Sequence, residues 1–359
     1  MGNLCEKVIY KDNLINNVKF YKNVLGNKKL CAVVKANAYG HDLTTVVTIL
    51  KGFVDYFAVA NFLEAKTVRS LTSKPILILG EVDNKDISEC IMRNIDISVS
   101  NKCTIEQIVK QAKKLNKIAR IHFKVNTGMN RLGFNSIEEF KKVFYKYKYN
   151  KYVKYDGIYS HLYNQSDEKN NLKQRSKFLE FVNSASCENL IKHLSSSKPI
   201  LQDKSYIFDM CRIGVGLYNY SFITKEKLLP VMEIKSKIIN IIKVKKGETV
   251  GYECGFKANE LTKIAVLSIG YADGYLRAFG NKAKVIINNK ICNVVGNVCM
   301  DMCFCNVTDV KCKVGDYAIV LGKSKNFEIN SNNLAEIANT IDYEILTNFK
   351  SDRMNICIK

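Results

Sequence analysis

The sequence predicts an α/β protein, with an N-terminal (β/α)8 TIM-like barrel followed by a C-terminal, mostly β domain. Short apolar strands alternate with helical stretches over about the first 220 residues, as parallel βα units do. After Pro230 the pattern changes to short strands separated by glycine turns. The chain has 359 residues, of which 47% are hydrophobic, enough for two cores. We therefore expect a barrel over residues 1–228 and a β domain over residues 229–359.

Six segments in the first part are predicted to be buried strands of a parallel sheet. Each is a short apolar run that leads into polar residues or glycine, and helical periodicity separates several of them, as at 101–116 and 136–149. The predicted strand segments are 29–40, 55–61, 74–80, 96–100, 119–126 and 155–162. Such strands place their carboxyl ends on one face of a barrel, where active sites lie.

The second part, over 231–320, is predicted to form short strands, and a helix at about 331–340 precedes a closing strand. Cys303 and Cys305 are two residues apart, so on a strand they share a face. The chain has no CxxC pair, and no histidine lies near these two cysteines in the sequence. Core packing is therefore favoured over zinc binding, and we expect no metal site.

Composition narrows the functional classes. The net charge is +21, but only eight of the 55 basic residues are arginine, the residue that nucleic-acid readers favour. A lysine-rich solvated surface is therefore the favoured interpretation, with no nucleic-acid partner. No apolar run approaches the roughly 20 residues of a membrane span, so no membrane partner is expected. Thirteen cysteines without a signal sequence indicate a cytoplasmic location.

The segment VKANAYGH at 34–41 carries the first chemical signal. Lys35 ends a predicted buried strand, where desolvation lowers the pKa of an amine and frees it for Schiff-base chemistry. The segment resembles the VKANAYGHG signature of alanine racemases, with Asp42 in place of the last glycine. This family has a barrel that binds pyridoxal 5′-phosphate (PLP), followed by a β domain. The resemblance implies that Lys35 carries PLP and that Tyr39 reaches its phosphate.

The segment FKVNTGMNRLGF at 123–134 extends the resemblance. It is similar to the family pattern KVDTGMxRLG. The resemblance implies that Arg131 binds the substrate carboxylate and a cofactor oxygen. It also implies that Lys124 is carbamylated and holds Arg131, since a carbamate turns a cation into an anion that pairs with a guanidinium. Asn126 stands where the family has aspartate.

Three further barrel segments, IYSH, LSSS and RIGVGLY, resemble cofactor-binding segments of the same family. The resemblance implies that His161 belongs to the cofactor network and that Ser197 binds the phosphate. The backbone N–H groups of Gly214 and Val215 would bind the phosphate as well. Arg212 would face the pyridine nitrogen of PLP. Because arginine keeps its proton, that nitrogen would stay largely unprotonated and the ring would be a weaker electron sink.

The predicted β domain carries the remaining matches. GYECGF resembles the family segment with the catalytic tyrosine, which is Tyr252 here, and IGYADGYLR is close to a family signature in which Tyr271 lines the entrance. VGNVCMDM resembles VGRVSMD, with Asn297 in place of arginine. By this resemblance the backbone of Met300 binds the substrate carboxylate, and Asp301 orients its neighbours.

Together, the motifs predict an isomerase that interconverts L- and D-alanine for D-alanine biosynthesis. The reaction would proceed through a PLP aldimine by a two-base proton transfer, with Lys35 on one face and Tyr252 on the other. The family pattern implies a homodimer with shared active sites, in which the second subunit supplies Tyr252 and Met300.

Three alternatives stay open. The nearest is a racemase of broader or serine specificity, because 351–354 (SDRM) lacks the family's C-terminal tyrosine. A PLP decarboxylase with the same barrel is a second alternative, although GYADGY and VCMDM stand where its cysteine and carboxylate set would be. The non-enzymatic alternative is a basic nucleic-acid-binding protein.

Overall fold

The structure is a computed structural model that describes residues 4–218 and 228–359. The described residues form two compact units. The β unit comprises the described parts of Met1–Asn16, Tyr39–Asp42 and Tyr218–Lys359, and the barrel unit comprises Asn17–Ala38 and Leu43–Leu217. The expected division between residues 228 and 229 directly follows a segment, 219–227, that lies outside the described residues.

The barrel unit is built on eight parallel strands, of which the first seven pair successively in chain order and the eighth pairs with the first. Parallel strands in a barrel are covered on both faces, and every residue of Tyr56–Val59 and Asp96–Val99 is buried. The strands are Lys29–Val33, Tyr56–Val59, Ile76–Ile78, Asp96–Val99, Ala119–Lys124, Val153–Tyr159, Ile191–His193 and Met210–Ile213.

The eight strands form a nearly closed ring. The first strand, Lys29–Val33, pairs in parallel with the last, Met210–Ile213. Between the last two strands, the N–H of Asp209 donates to the Lys192 carbonyl at 3.0 Å, and the N–H of Arg212 donates to the Ser195 carbonyl at 3.1 Å. This arrangement confirms the predicted TIM-like barrel.

Helices follow the strands, and polar residues define where several of them begin. Asn61, Asn101 and Ser136 each accept a hydrogen bond from the backbone N–H three residues later, which satisfies a donor that the first helical turn leaves unpaired. The helices from Lys11 to Tyr218 are Lys11–Leu25, Leu43–Leu50, Phe62–Leu71, Asn84–Met92, Lys102–Leu115, Ile137–Tyr147, Glu168–Ser184, Pro199–Gln202 and Val215–Tyr218, with a 3-10 turn at Lys204–Tyr206.

The β unit contains a closed ring of six strands, because Tyr317–Lys323 pairs with both Lys284–Ile287 and Met232–Val244. Cys303 and Cys305 are fully buried on one face of their strand, as predicted. The strands from Met232 onward are Met232–Val244, Thr249–Val250, Phe256–Lys257, Thr262–Leu267, Lys284–Ile287, Lys290–Val295, Cys303–Asn306, Tyr317–Lys323, Glu328–Ile329 and Asn355–Ile358.

The amino terminus differs from the expected division. The strand Cys5–Ile9 lies in the sheet of the β unit, where it pairs antiparallel with Met232–Val244 and parallel with Asn355–Ile358. The chain thus begins in the sheet to which it returns after the barrel. A five-residue strand has no local signal of its sheet, because its pairing partners lie more than 200 residues away.

The predicted helix at 331–340 is present as Ser331–Ala338, and the closing strand is Asn355–Ile358. A second helix, Asp342–Asn348, lies between them and was not predicted. Short 3-10 turns are found at Tyr252–Cys254, Tyr271–Asp273, Arg277–Phe279 and Ser351–Arg353. Over residues 4–218 and 228–359, none of the helices is both long and apolar enough to span a membrane.

Candidate active site

Lys35 directly follows the first barrel strand and begins an unusual turn. Ala36, Asn37 and Ala38 all have left-handed backbone angles, with φ between 52° and 55°. Non-glycine residues rarely adopt this conformation, and a run of them persists only where the surroundings hold it. Here the Asn37 side chain accepts from the N–H of Leu43 at 2.7 Å.

Glu64 is a second support of this turn, and sequence reasoning missed it. Its Oε1 accepts from the N–H of Ala36 at 2.7 Å, and its Oε2 accepts from the N–H of Ala60 at 2.8 Å. Glu64 therefore fixes the backbone immediately after Lys35. The available signal was the pattern Asn61-x-x-Glu64 at the start of a helix, where glutamate at the third position normally bonds back to the cap.

The electrostatics of Lys35 suit a nucleophilic amine. Burial is the largest effect that lowers its pKa, and the charges of Arg131 and Arg212 lower it further, whereas Glu64 opposes them. A lysine with a lowered pKa carries more neutral amine at physiological pH, the form that condenses with an aldehyde.

Lys124 ends the fifth barrel strand, Ala119–Lys124, and is also buried. Its Nζ donates to the Leu79 carbonyl at 3.0 Å. Desolvation, together with the charges of Arg131 and Arg212, lowers the pKa of Lys124 to about 8. Carbon dioxide reacts with neutral amines, so this pKa favours the predicted carbamylation.

Arg131 is exposed on the loop after this strand, and Asn126 holds that loop. The Asn126 Oδ1 accepts from the N–H groups of Gly128 and Asn130, both at 3.0 Å. Its Nδ2 donates to the side-chain oxygens of Asn130 at 2.9 Å and Asn135 at 2.7 Å. Asparagine can do both, whereas an aspartate has no donor. At the position where the family has aspartate, the amide group of Asn126 therefore donates to two neighbouring asparagines, Asn130 and Asn135.

Arg212 is buried within the last barrel strand, and its two terminal nitrogens bond to neutral groups. Nη1 donates to Nδ1 and to the carbonyl oxygen of His193, both at 2.8 Å. Nη2 donates to the carbonyl oxygens of Ser160 at 2.6 Å and Leu194 at 3.0 Å. Among the described residues, no carboxylate lies within ion-pair distance of Arg212, so its charge is available to a ligand.

His161 follows the strand Val153–Tyr159, and its Nδ1 lies 3.4 Å from Nη2 of Arg212. Burial is the main cause that lowers the pKa of His161 to about 3, and the cations Arg212, Arg131 and Lys35 add to it. The imidazole is therefore neutral at physiological pH, so it acts as a hydrogen-bonding group rather than as a cation.

A buried chain of side chains continues from Arg212 through the barrel interior. His193 Nε2 lies 2.9 Å from His122 Nδ1, and His122 Nε2 lies 3.2 Å from the Tyr56 hydroxyl, which bonds to Asp96. Arginine can only donate and a carboxylate can only accept, so each group in between donates toward Asp96. The sequence motifs did not link these two histidines to Arg212, because the hydrogen-bonded side chains come from strands far apart in the sequence.

Ser197 lies where two backbone donors converge after the last strand. Its buried Oγ accepts from the N–H of Gly214 at 3.3 Å and of Gly216 at 3.2 Å. The glycine at 216 is required by packing, because a Cβ there would lie 2.2 Å from the Tyr21 hydroxyl. N–H groups and a hydroxyl in this arrangement form a cradle for a phosphate. Val215 lies between the two glycines.

Tyr39 belongs to the β unit. Its ring centroid lies 5.2 Å from that of Tyr218 and 6.0 Å from that of Tyr343, and burial raises its pKa. At physiological pH its hydroxyl is therefore protonated and can donate to a phosphate, although the motif alone did not indicate this aromatic cluster.

Three of the predicted site residues of the β unit lie on exposed loops. Tyr252, Tyr271 and Met300 are 70%, 42% and 54% exposed. The N–H of Tyr271 donates to the Cys299 carbonyl, and that of Ala272 donates to the Met300 carbonyl.

Asn297 connects Tyr252 to this group, because its Nδ2 donates to the Tyr252 carbonyl at 3.0 Å and to Glu253 Oε2 at 3.1 Å. The substitution of asparagine for the family arginine therefore keeps a donor at the loop that carries Tyr252.

Asp301 pairs with Arg353, which also binds Asp273. Arg353 Nη2 donates to Asp301 Oδ1 at 2.6 Å, and its Nε donates to Asp273 Oδ1 at 2.8 Å. Asp273 in turn accepts from the N–H of Gly270 at 2.9 Å. Arg353 thus ties the loop that follows Met300 to the loop that begins at Gly270.

Comparison with known proteins identifies the family to which the chain belongs. The family model described as "Alanine racemase, N-terminal domain" matches residues 9–222, and "Alanine racemase, C-terminal domain" matches residues 231–357. The chain belongs to the alanine racemase family. Proteins named alanine racemase from Francisella philomiragia and Clostridium novyi are each 34% identical, over 94% and 93% of this chain and 96% and 90% of their own lengths.

Solved alanine racemase structures share the whole fold. The enzyme from Clostridium difficile superposes with a TM-score of 0.91 at 30% identity, covering 100% of this chain and 96% of its own. The enzyme from Bartonella henselae, described with covalently bound pyridoxal phosphate, has a TM-score of 0.88 at 25% identity and covers 99% of both chains. The predicted alanine racemase family and fold class are therefore confirmed.

Proposed function

We propose that this protein interconverts L- and D-alanine with PLP held by Lys35. Three features of one barrel carry the proposal. Lys35 has a lowered pKa, Arg212 is buried with no carboxylate at ion-pair distance among the described residues, and Ser197 lies with the backbone of Gly214 in a cradle that suits a phosphate. The close relatives named alanine racemase support the substrate.

The barrel residues fit PLP group by group. The Ser197 cradle and the backbone of Gly214 and Val215 suit its phosphate, with the Tyr39 hydroxyl as a further donor. Arg212 suits the pyridine nitrogen, since a permanent cation leaves that nitrogen as an acceptor. Bound at Lys35, PLP would withdraw electrons from the substrate and acidify its Cα–H bond.

The chain's own residues would supply substrate binding and proton transfer. Arg131 and the Met300 backbone would bind the substrate carboxylate, Tyr271 would line the entrance, and a carbamate on Lys124 would hold Arg131. The Lys35 amine would take or return the α-proton on one face, and the Tyr252 hydroxyl would act on the other. Two bases on opposite faces account for inversion at Cα.

The decisive test is racemisation of a panel of L-amino acids by purified protein supplied with PLP. We expect alanine to be the best substrate, and a preference for serine would instead favour the broader-specificity alternative. Lys35→Ala should abolish racemisation and also the absorbance near ~420 nm that a lysine-bound PLP shows and borohydride removes. An active Lys35→Ala protein would refute the assignment of Lys35.

The second base is tested separately. We expect Tyr252→Phe to slow abstraction from one enantiomer of alanine more than from the other, because only one face loses its base, by roughly the 10²–10⁴-fold typical of general-base removal. Solvent-deuterium exchange into each enantiomer measures the two directions independently. If the variant racemises both enantiomers as fast as the native protein, the two-base assignment is wrong.

We further propose a cytoplasmic homodimer. All thirteen cysteines are free thiols, which is typical of a reducing compartment. The exposure of Tyr252 and Met300 leaves both available to a second subunit.

A further inference from the structure

A cavity lies on the barrel unit, at the end opposite the predicted cofactor residues. Its volume is about 560 Å³, within the range of small-molecule sites. Arg120 lies near the start of the strand Ala119–Lys124, and Arg69 and Arg93 lie at the ends of two barrel helices. The lining includes these three arginines and contains no aspartate or glutamate.

The use of arginine at this cavity is selective. The chain has 55 basic residues, of which eight are arginine and the other 47 lysine, yet three arginines and no lysine line the cavity. Arginine differs from lysine in presenting a planar fork of donors that matches the oxygens of a phosphate. The remaining polar residues of the lining are Ser70, Thr72, Ser73 and Asn94.

Arg69 is held in place without being neutralised. Its Nη1 donates to the carbonyl oxygens of Thr72 at 2.9 Å and Lys74 at 3.0 Å, and its Nη2 donates to that of Asn94 at 2.9 Å. Within residues 4–218 and 228–359, no carboxylate lies within ion-pair distance of Arg69. The guanidinium is therefore oriented by backbone carbonyls and makes no direct ion pair, although the Asp96 carboxylate lies near enough to stabilise its charge.

Arg120 is held by two carboxylates. Its Nε lies 2.9 Å from Asp96 Oδ1 and 2.8 Å from Asp156 Oδ2, and its side chain is 34% exposed. The Nε–H donates to Asp96, and Asp156 adds a second carboxylate beside the same guanidinium. Arg93 is similar, because its Nε pairs with Glu89 Oε2 at 2.8 Å.

We propose that this cavity binds a small phosphate-bearing anion, whose oxygens are held by Arg69, Arg93 and Arg120. An anion in this cavity would gain charge-assisted hydrogen bonds from three guanidinium groups. Ser73, an exposed residue, lines the same cavity, so a carboxylate introduced at this position would repel the anion.

The test is calorimetric titration of the PLP-loaded protein with inorganic pyrophosphate and inorganic phosphate at low salt. Loaded protein is used so that the Ser197 cradle is already occupied. We expect saturable binding of one pyrophosphate per chain. Arg93→Gln and Ser73→Glu should each weaken it by about tenfold or more, as the loss of one charge-assisted contact or the addition of a repelling carboxylate predicts.

Two controls make the result decisive. Arg175→Gln removes an arginine elsewhere on the barrel, whose Nε bonds to the Ser205 carbonyl, and should leave the affinity unchanged. Ser197→Ala should also leave it unchanged. The proposal is overturned if the native protein shows no saturable binding or if Arg93→Gln and Ser73→Glu bind within about twofold of it. A loss of affinity only in Ser197→Ala would place the anion in the cofactor cradle and equally overturn it.

Discussion

At the scale of single residues, the same arginine charges act on two lysines of different predicted roles. Burial is the largest cause that lowers the pKa of both Lys35 and Lys124, and the charges of Arg131 and Arg212 lower it further in each. Motif matching identified both lysines, but it contained no measure of their proton affinity. That quantity depends on solvent exclusion and on cations contributed by other segments of the chain.

Lys124 should make the free energy of unfolding depend on pH. Its pKa is about 8 in the folded protein and 10.5 ordinarily, so between these values the unfolded chain binds more protons. Stability from this residue therefore rises with pH over that window, and the cost of its buried charge is largest below pH 8. We expect Lys124→Met to raise stability relative to the native protein more at pH 7 than at pH 10, by urea unfolding in carbonate-free buffer.

The matched control for this measurement is Lys117→Met, because Lys117 is exposed. Its effect on stability should be the same at both pH values. The interpretation fails if the stability difference between the native protein and Lys124→Met does not change with pH.

At the scale of elements, strand register places a glycine against a buried histidine. Gly157 lies opposite His122 in the pairing of Ala119–Lys124 with Val153–Tyr159. A Cβ at position 157 would lie 2.3 Å from His122 Nδ1 and 2.9 Å from the Ile191 carbonyl oxygen. His122 is hydrogen-bonded to His193, so it cannot move aside without breaking the chain that leads to Arg212.

Gly157→Ala should therefore lower the free energy of unfolding by about 1–3 kcal/mol, the usual cost of overpacking a core. It should also lower kcat, because the displaced histidine no longer supports His193 and Arg212. Gly52→Ala is the control, since a Cβ there meets no atom within 4 Å. Native stability in Gly157→Ala, measured by urea unfolding, would contradict the predicted clash.

The elements show where sequence reasoning reached its limit. Strands with continuous apolar runs, such as 119–126, were predicted because burial on both faces leaves a local pattern. The helix Asp342–Asn348 was missed, since seven residues give too few turns for periodicity to be visible. In the site, contiguous motifs led to Lys35 and Arg212. Glu64 and His193 lie outside those motifs, and only the folded chain brings Glu64 to the backbone of Ala36 and His193 to Arg212.

At the scale of the whole molecule, shared active sites predict complementation between inactive variants. If Lys35 and Tyr252 of one site come from different subunits, a mixed dimer of Lys35→Ala and Tyr252→Phe contains one native site and one doubly altered site. Random exchange makes half of the dimers mixed, so about a quarter of the native racemisation rate should return. Activity should also fall when the native protein is diluted to a monomer.

Mixing Lys35→Ala with Lys35→Arg is the control, because no pairing of these chains restores a native site. A mixture of Lys35→Ala and Tyr252→Phe that stays as inactive as its components would show that each site is built from one chain. A fully active monomer, detected by light scattering at the assay concentration, would contradict the dimer in the same way.

The sequence by itself determined the family, the barrel and β architecture, and the positions of Lys35, Arg131, Arg212 and Tyr252. These features are local: strand patterns and motifs lie within a few residues of one another, so the order of residues carries them. Only the tertiary structure decided the sheet that takes the first strand, Cys5–Ile9, and the tautomers of the buried histidines. Those properties depend on partners brought together from distant segments, and their energies come from burial and from charges across the fold.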